Sequence, residues 1–393
     1  MTGLSITEKR PARSWPAMTD GADITLLLVT LILVTFGTVM IYSASSVIAE
    51  ERFGNGYHFI KKQMFFVVLG LGAMAIFARI PYYHLRKVAY LSILLSVSLL
   101  SLLLVTQLGV SAGGATRWLN VGVFSFQVTE MVKVSLVLFL AHFLARKEER
   151  VREFRRGFLI PVMTTGVIIV LVLLQPDFGT AVVLAMILIL MLYLAGSRIL
   201  HLGTLAAVLI PVGFMLIVYK GYRLERLLSF LDPWRDPANS GFHIIQSLIS
   251  FGSGEIFGVG LGNSMQKLFY LPEPHTDFIL SIIAEESGFI GVTIVVLLFA
   301  ILIFKGFLIS YKAPDLFGSL LASGLTIVIA LGASINMAAV TGLIPTKGLA
   351  LPFLSYGGTS LIMSLTAVGA LLNISSCKVT TQPQIHTDKH RQV

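Results

Sequence analysis

Asp277 follows Leu271-Pro-Glu-Pro-His275-Thr and directly precedes an apolar run about as long as a bilayer is thick. A carboxylate is costly in that position, so an acid there is a candidate for chemistry. Placed beside a substrate hydroxyl, it can take the proton of an attacking oxygen. Asp is also a good helix N-cap, and spacing alone leaves both roles open. Ser281 and Glu285 follow at i+4 and i+8, on broadly the same side. Glu285 and Glu286 lie deeper in the run. At least one must face a protein interior or water, because an acid costs about 2.5–3.5 kcal/mol at a helix centre on insertion scales.

Gln127, Glu130 and Lys133 recur at i, i+3 and i+6 at the start of another apolar run. Pairing of Glu130 with Lys133 lowers the cost of burying either. Such a pair is either structural or the polar wall of a cavity. The stretch from Thr341 to Ser360 offers Lys347, the Ser355 hydroxyl and glycine-exposed backbone N–H groups, a set suited to phosphate or pyrophosphate. Ser111-Ala-Gly-Gly-Ala-Thr-Arg117-Trp118 adds a second cation beside an aromatic ring. Gly252 to Asn263 is glycine-rich but is not a nucleotide loop, since no Walker lysine-serine follows. Close backbone packing or a lipid-facing turn suits it better. The single cysteine, Cys377, excludes a disulfide framework and a multi-cysteine metal site. The eight histidines have no metal-ligand spacing such as H-E-x-x-H.

The elements that must hold these groups are membrane helices. Of 393 residues 55% are hydrophobic and 12% charged, about half the charge of a soluble domain. Mean hydropathy is +0.86. The expected fold is an all-α polytopic membrane protein with about ten spans: 24–43, 63–79, 88–106, 127–145, 159–175, 177–195, 201–219, 277–304, 316–340 and 352–375. Pro176 ends the fifth and Asp177 caps the sixth. The run from Ile24 to Tyr42 is too long for a signal-peptide core and reads as an uncleaved first span.

The net charge of +9 is no nucleic-acid footprint, because the cations collect in alternate loops. Arg146, Lys147, Arg150, Arg152, Arg155 and Arg156 fall on one side. Arg52, Lys61, Lys62, Arg117 and Lys347 fall on the other. That bias places both termini in the cytoplasm, as tails 1–23 and 376–393 flanking a membrane domain 24–375. The only long loop, 220–276 between spans seven and eight, then faces outward. Within it, Phe242 to Phe251 has helical spacing and predicts a short helix at the membrane surface.

Taken together, these motifs resemble the SEDS family (shape, elongation, division and sporulation) of cell-wall synthases. The residues that carry the resemblance are Gly114-Ala-Thr-Arg-Trp118, Gln127-Val-Thr-Glu-Met-Val-Lys133, Gln175-Pro-Asp-Phe-Gly-Thr180, Asp236-Pro-Ala-Asn-Ser-Gly241, Gly260-Leu-Gly-Asn-Ser264, Leu271-Pro-Glu-Pro-His-Thr-Asp277, Ala284-Glu-Glu286, Pro345-Thr-Lys-Gly348 and Ser355-Tyr-Gly-Gly358. They run from the first span to the last. Gly262-Asn-Ser-Met-Gln-Lys267 and Pro345-Thr-Lys-Gly348 look like the division member rather than the elongation member. One departure is Gln127-Val-Thr-Glu130, where family members usually have Gln-Pro-Ser/Ala-Glu. It removes a rigid helix start but keeps the acid and the lysine.

The resemblance implies glycosyl transfer from lipid II, the undecaprenyl-pyrophosphate-linked precursor of peptidoglycan. It implies work beside a class B penicillin-binding transpeptidase and other division proteins, in the inner membrane at the septum. The family's essential aspartate maps to Asp277. Lys347, Lys133, Arg117 and Arg223 are then candidates to stabilise the pyrophosphate, with Glu130, Gln127, His275 and Ser355 around the substrate. The resemblance assigns no cofactor and leaves a divalent cation, magnesium or manganese, open. Two other classes compete: a lipid II transporter, and a scaffold without catalysis. No internal repeat supports the transporter, and a scaffold leaves the cost of Asp277, Glu130 and Lys133 unexplained.

Overall fold

A computed structural model of the chain describes residues 22–105, 109–112, 115–120, 125–239, 241–267, 275–345 and 348–377. The ten expected spans are all helices: α1 Ile24–Phe53, α2 His58–Arg79, α3 Leu85–Val105, α4 Val128–Arg146, α5 Leu159–Leu174, α6 Phe178–Leu194, α7 Ile199–Val218, α10 Ile279–Tyr311, α11 Leu316–Val340 and α12 Gly358–Ser376. Among the described residues nine helices are long and apolar enough to cross a bilayer. The 17 residues of α6 rise about 26 Å, slightly less than the hydrocarbon core. α4, α11 and α12 are the most enclosed, while α7 stands at the periphery. Asp177 caps α6 through Thr180 N at 3.1 Å, as its place after Pro176 predicts.

Two elements go beyond that expectation. The α3–α4 connection contains three short antiparallel strands, β1 Gly109–Ala112, β2 Ala115–Asn120 and β3 Ser125–Gln127, in the order β1-β2-β3. Ala112 lies opposite Ala115 in the β1–β2 register. The 220–276 segment is not one loop. It holds α8 Gly221–Leu231 as well as the expected short helix, α9 Phe242–Ser253.

Inside α10 the backbone breaks at Gly288, where φ is +66° and ψ −166°. The segment 255–260 pairs with the broken turn. Val259 N donates to Glu285 O at 2.9 Å, and Gly260 N to Glu286 O at 3.1 Å. Phe289 N donates to Glu255 O at 2.9 Å, and Ile290 N to Ile256 O at 3.2 Å. Irregular backbone is tolerated at such depth only where protein satisfies it, and these bonds do so. The contact requires glycine on both sides. A Cβ on Gly258 would collide with the Glu286 carbonyl, and one on Gly288 with the Gly258 amide. The glycine-rich run is thus a close-packing device, one of the two roles its composition suggested.

The far end of the bundle is tied differently. Lys305 reaches Asp23 at 3.1 Å, Asp23 N bonds Ser375 Oγ, and Arg86 and the Tyr82 hydroxyl both meet Asp315. Asn373 bridges Tyr82 N and Ala78 O. These contacts join helix termini that are distant in sequence.

Candidate functional site

Asp277 stands one residue ahead of the N-cap position of α10, which Phe278 occupies without a side-chain capping bond. Its backbone is fixed by Asn336 of α11. The Asn336 amide nitrogen donates to Asp277 O at 2.9 Å and to Leu349 O at 2.7 Å. Asn336 is only 1% exposed, and each of its two N–H donors holds a carbonyl. Two residues before Asp277, His275 O accepts from Tyr356 N at 2.8 Å. The acid is therefore stitched to the 349–356 segment at two points. Ser247 of α9 donates to Val340 O at 2.5 Å and meets Ser281 Oγ at 2.7 Å, so α9 joins the same assembly.

His275 is buried between Phe59, at 4.6 Å between ring centroids, and Tyr356, at 5.5 Å. Burial, aided by the charge of Arg52, lowers its pKa to about 4. The imidazole is neutral at pH 7 and acts as a packed polar wall. Ser355 is buried, and its Oγ accepts from Leu351 N at 2.8 Å, closing the 351–355 turn. That hydroxyl shapes the loop.

At the start of α4, Glu130 Oε1 and Lys133 Nζ are 2.8 Å apart and both residues are buried, as the spacing predicts. The pair takes one of three lysine donors. Gln127 N donates to Thr359 Oγ1 at 3.1 Å, so the first turns of α4 and α12 meet. Thr359 lies three residues after the segment tied to Asp277, which brings this pair and the acid to one end of the bundle. Gln127 also lies opposite Trp118 in the β2–β3 ladder, and Arg117 is the next residue of β2. The Arg117 side chain and all of Lys347 lie outside the described residues, as does Leu271 to Pro274 of the motif before Asp277.

Arg223 stands apart from this group. Its guanidinium lies 5.1 Å from the Phe178 ring and donates to Leu216 O and the Tyr222 hydroxyl. It braces the α6–α7–α8 junction.

A second buried cluster lies farther along α10. Lys267 Nζ contacts Glu286 Oε1 at 2.9 Å, Gly262 O at 2.5 Å and Ser43 Oγ at 3.4 Å. Ser43 of α1 donates to Glu286. Glu285 accepts from Ser264 Oγ and from Met265 N at 2.9 Å. Both deep acids thus face the protein interior, where their cost required at least one to do so, and together they clamp 262–267 against α10. Sequence reasoning missed Asn336 and Lys267. An amide alone in an apolar span is a signal for the first. A glutamate in α10 that needed a cation, with Lys267 in the preceding loop, was one for the second. Among the described residues no group of three His, Cys, Asp or Glu could hold a metal ion.

Comparison with known proteins places this arrangement. A family model described as cell cycle protein, FtsW/RodA/SpoVE, matches residues 24–379. The chain is 43% identical over 91% of its length, and 97% of the relative's, to a probable peptidoglycan glycosyltransferase FtsW of Geobacter sp. strain M18. It is equally 43% identical to stage V sporulation protein E of Bacillus subtilis, over 90% of this chain and 96% of that one. A solved chain described under "structural coordination of polymerization and crosslinking by a peptidoglycan synthase complex" superposes with a TM-score of 0.73 at 28% identity, covering 90% of this chain and 97% of that one. The crystal structure of the Thermus thermophilus rod shape determining protein RodA gives 0.66 at 27% identity, covering 90% and 96%. With a model matched across every span and relatives of this identity over nine-tenths of its length, the chain belongs to the FtsW/RodA/SpoVE family of multi-pass membrane cell cycle proteins.

Proposed function

We propose that the chain is a peptidoglycan glycosyltransferase that polymerises lipid II during division, with Asp277 as its base. The observation that carries the reading is the fixed position of this acid at the mouth of α10. The acceptor sugar's 4-hydroxyl loses its proton to Asp277 as its oxygen attacks the donor's anomeric carbon. The bond to the lipid pyrophosphate breaks, and that pyrophosphate leaves with the electron pair. Lys133, Arg117 and Lys347 are the cations assigned to the charge that develops on it. Glu130 holds Lys133 in place. Magnesium or manganese would enter with the pyrophosphate as part of the substrate.

Cation bias supports cytoplasmic termini and an outward-facing site, where wall polymer is assembled. A membrane-impermeant thiol reagent should label a cysteine introduced at Ser253 in cells with a permeabilised outer membrane. It should spare Cys377 until the inner membrane is opened. A class B transpeptidase is the proposed partner and the septum the proposed location.

The test is polymer formation from purified lipid II by the protein with its transpeptidase. Asp277→Asn keeps size and removes basicity, and should lower polymerisation at least about a hundredfold. Near wild-type polymer from that variant overturns the assignment. The break in α10 favours one second reading, lipid II transport, since transporters use discontinuous helices. Movement of lipid II across vesicles by Asp277→Asn at the wild-type rate would favour transport.

A further inference from the structure

α1 is 30 residues long and rises about 45 Å, against a hydrocarbon core of about 30 Å. Its last turns hold Glu50, Glu51 and Arg52, so this is the end that projects. Two adjoining cavities lie along it. One, of about 560 Å³, lies between α1 and the 261–267 segment, with Ser43, Ser46, Asn263 and Lys267 on its wall. The other, of about 540 Å³, lies between α1 and the turn to α2, with Glu50, Asn55 and Tyr57. Tyr42, Ser46 and Val47 line both, so the two form one groove.

The groove mixes polar groups and tyrosine rings with apolar Val39, Val47, Leu261 and Met265. Tyr42 and Tyr57 stack with their centroids 5.7 Å apart and planes 12° apart, and both are about half exposed. Ser46, Asn55 and Asn263 are neutral polar groups. Among the described residues lining the groove the one cation is already used: three acceptors meet the three donors of Lys267. Glu50 likewise accepts from Gly56 N at 2.6 Å. Among those residues a pyrophosphate therefore finds no uncommitted cation. Flat aromatic faces beside neutral hydrogen-bonding groups suit a neutral amino sugar, with apolar ring faces and polar edges.

Packed rings connect the α1–α2 turn to the neighbourhood of the acid. Phe53 stacks on His58 at 4.0 Å, His58 meets Phe59 at 5.5 Å, and Phe59 meets His275 at 4.6 Å, two residues from Asp277. We propose that the groove formed by the projecting end of α1, the α1–α2 turn and residues 261–265 binds neutral, β-linked amino-sugar oligosaccharide, holding the glycan strand beside the reacting end. This rests on the glycosyltransferase reading above.

The test uses the purified full-length protein and a tetramer of β-1,4-linked N-acetylglucosamine as probe, with binding followed by saturation-transfer NMR. Wild type should bind the tetramer, and inorganic pyrophosphate should not displace it. Tyr57→Ala and Tyr42→Ala should each weaken binding about tenfold, the size of one aromatic contact. Tyr57→Phe should keep binding, which separates loss of the ring from loss of the fold. In the lipid II assay, Tyr57→Ala should give shorter strands. No binding by wild type, displacement by pyrophosphate, or full-length strands from Tyr57→Ala would each overturn the proposal. Absence of polymer from wild type would instead overturn the glycosyltransferase reading, and tetramer binding reports separately on the groove.

Discussion

The two ends of the bundle both use ion pairs, but they bury them to different depths. At the far end Arg86–Asp315 has side chains 41% and 35% exposed, and Lys305–Asp23 25% and 17%. At the end that carries Asp277, Glu130–Lys133 is 11% exposed on each side, and Lys267–Glu286 6% and 0%. The wetter pairs are fasteners between helix termini and contribute little net stability. The drier pairs lose most of their hydration, and an apolar replacement would often be as stable. Their presence at one end marks the end where position matters more than stability.

That contrast can be broken in order of expected effect. Lys267→Ala leaves Glu286 buried with Ser43 alone, and should destabilise the protein by about 3–5 kcal/mol. Lys267→Met with Glu286→Gln should recover much of the loss in a thermal melt of the purified protein. A single variant as stable as wild type would erase the distinction between the ends. Glu130→Ala should cost less, about 2–3 kcal/mol, because its pair is slightly wetter. Adding Lys133→Met should restore the melt but not polymerisation from lipid II if Lys133 also serves the pyrophosphate. Purely additive stability effects would mean that the two residues do not couple.

Asn336→Ala removes both donors from the Asp277 and Leu349 carbonyls, and should cost about 1–3 kcal/mol. Its larger effect should be kinetic, with kcat falling about ten- to a hundredfold by misplacement of the acid and KM changing little. Equal loss of stability and no change in kcat would reduce Asn336 to a structural tie. Arg86→Ala, at the far end, should shift stability by less than about 1 kcal/mol and leave polymerisation unchanged. A large effect there would show that the wet pairs matter as much as the dry ones.

The spans were legible because a bilayer imposes one length and one polarity on every crossing segment. The Glu130–Lys133 pair was legible because its two partners share a helix turn. The break at Gly288 was not, because hydropathy is uniform across it and its partner, Gly258, lies on another element. The β1–β3 hairpins were hidden by their shortness, with strands of four, six and three residues. α8 was hidden because Arg223, Glu225 and Arg226 make a polar helix look like loop. Charge alone makes Arg223 a substrate candidate, and what charge could not show is that its guanidinium packs on Phe178. Charge can be read from a chain, but not which of several cations an anion will meet.

The Asn336 bridge has a mechanical consequence. One amide grips the backbone of the acid with one hand and that of the 348–350 stretch with the other. When α11 breathes, both are carried as common-mode motion: their shared position shifts against α4, while the spacing between them is conserved. A partner that leans on α11 could therefore tune how the site approaches its substrate without detuning the site itself.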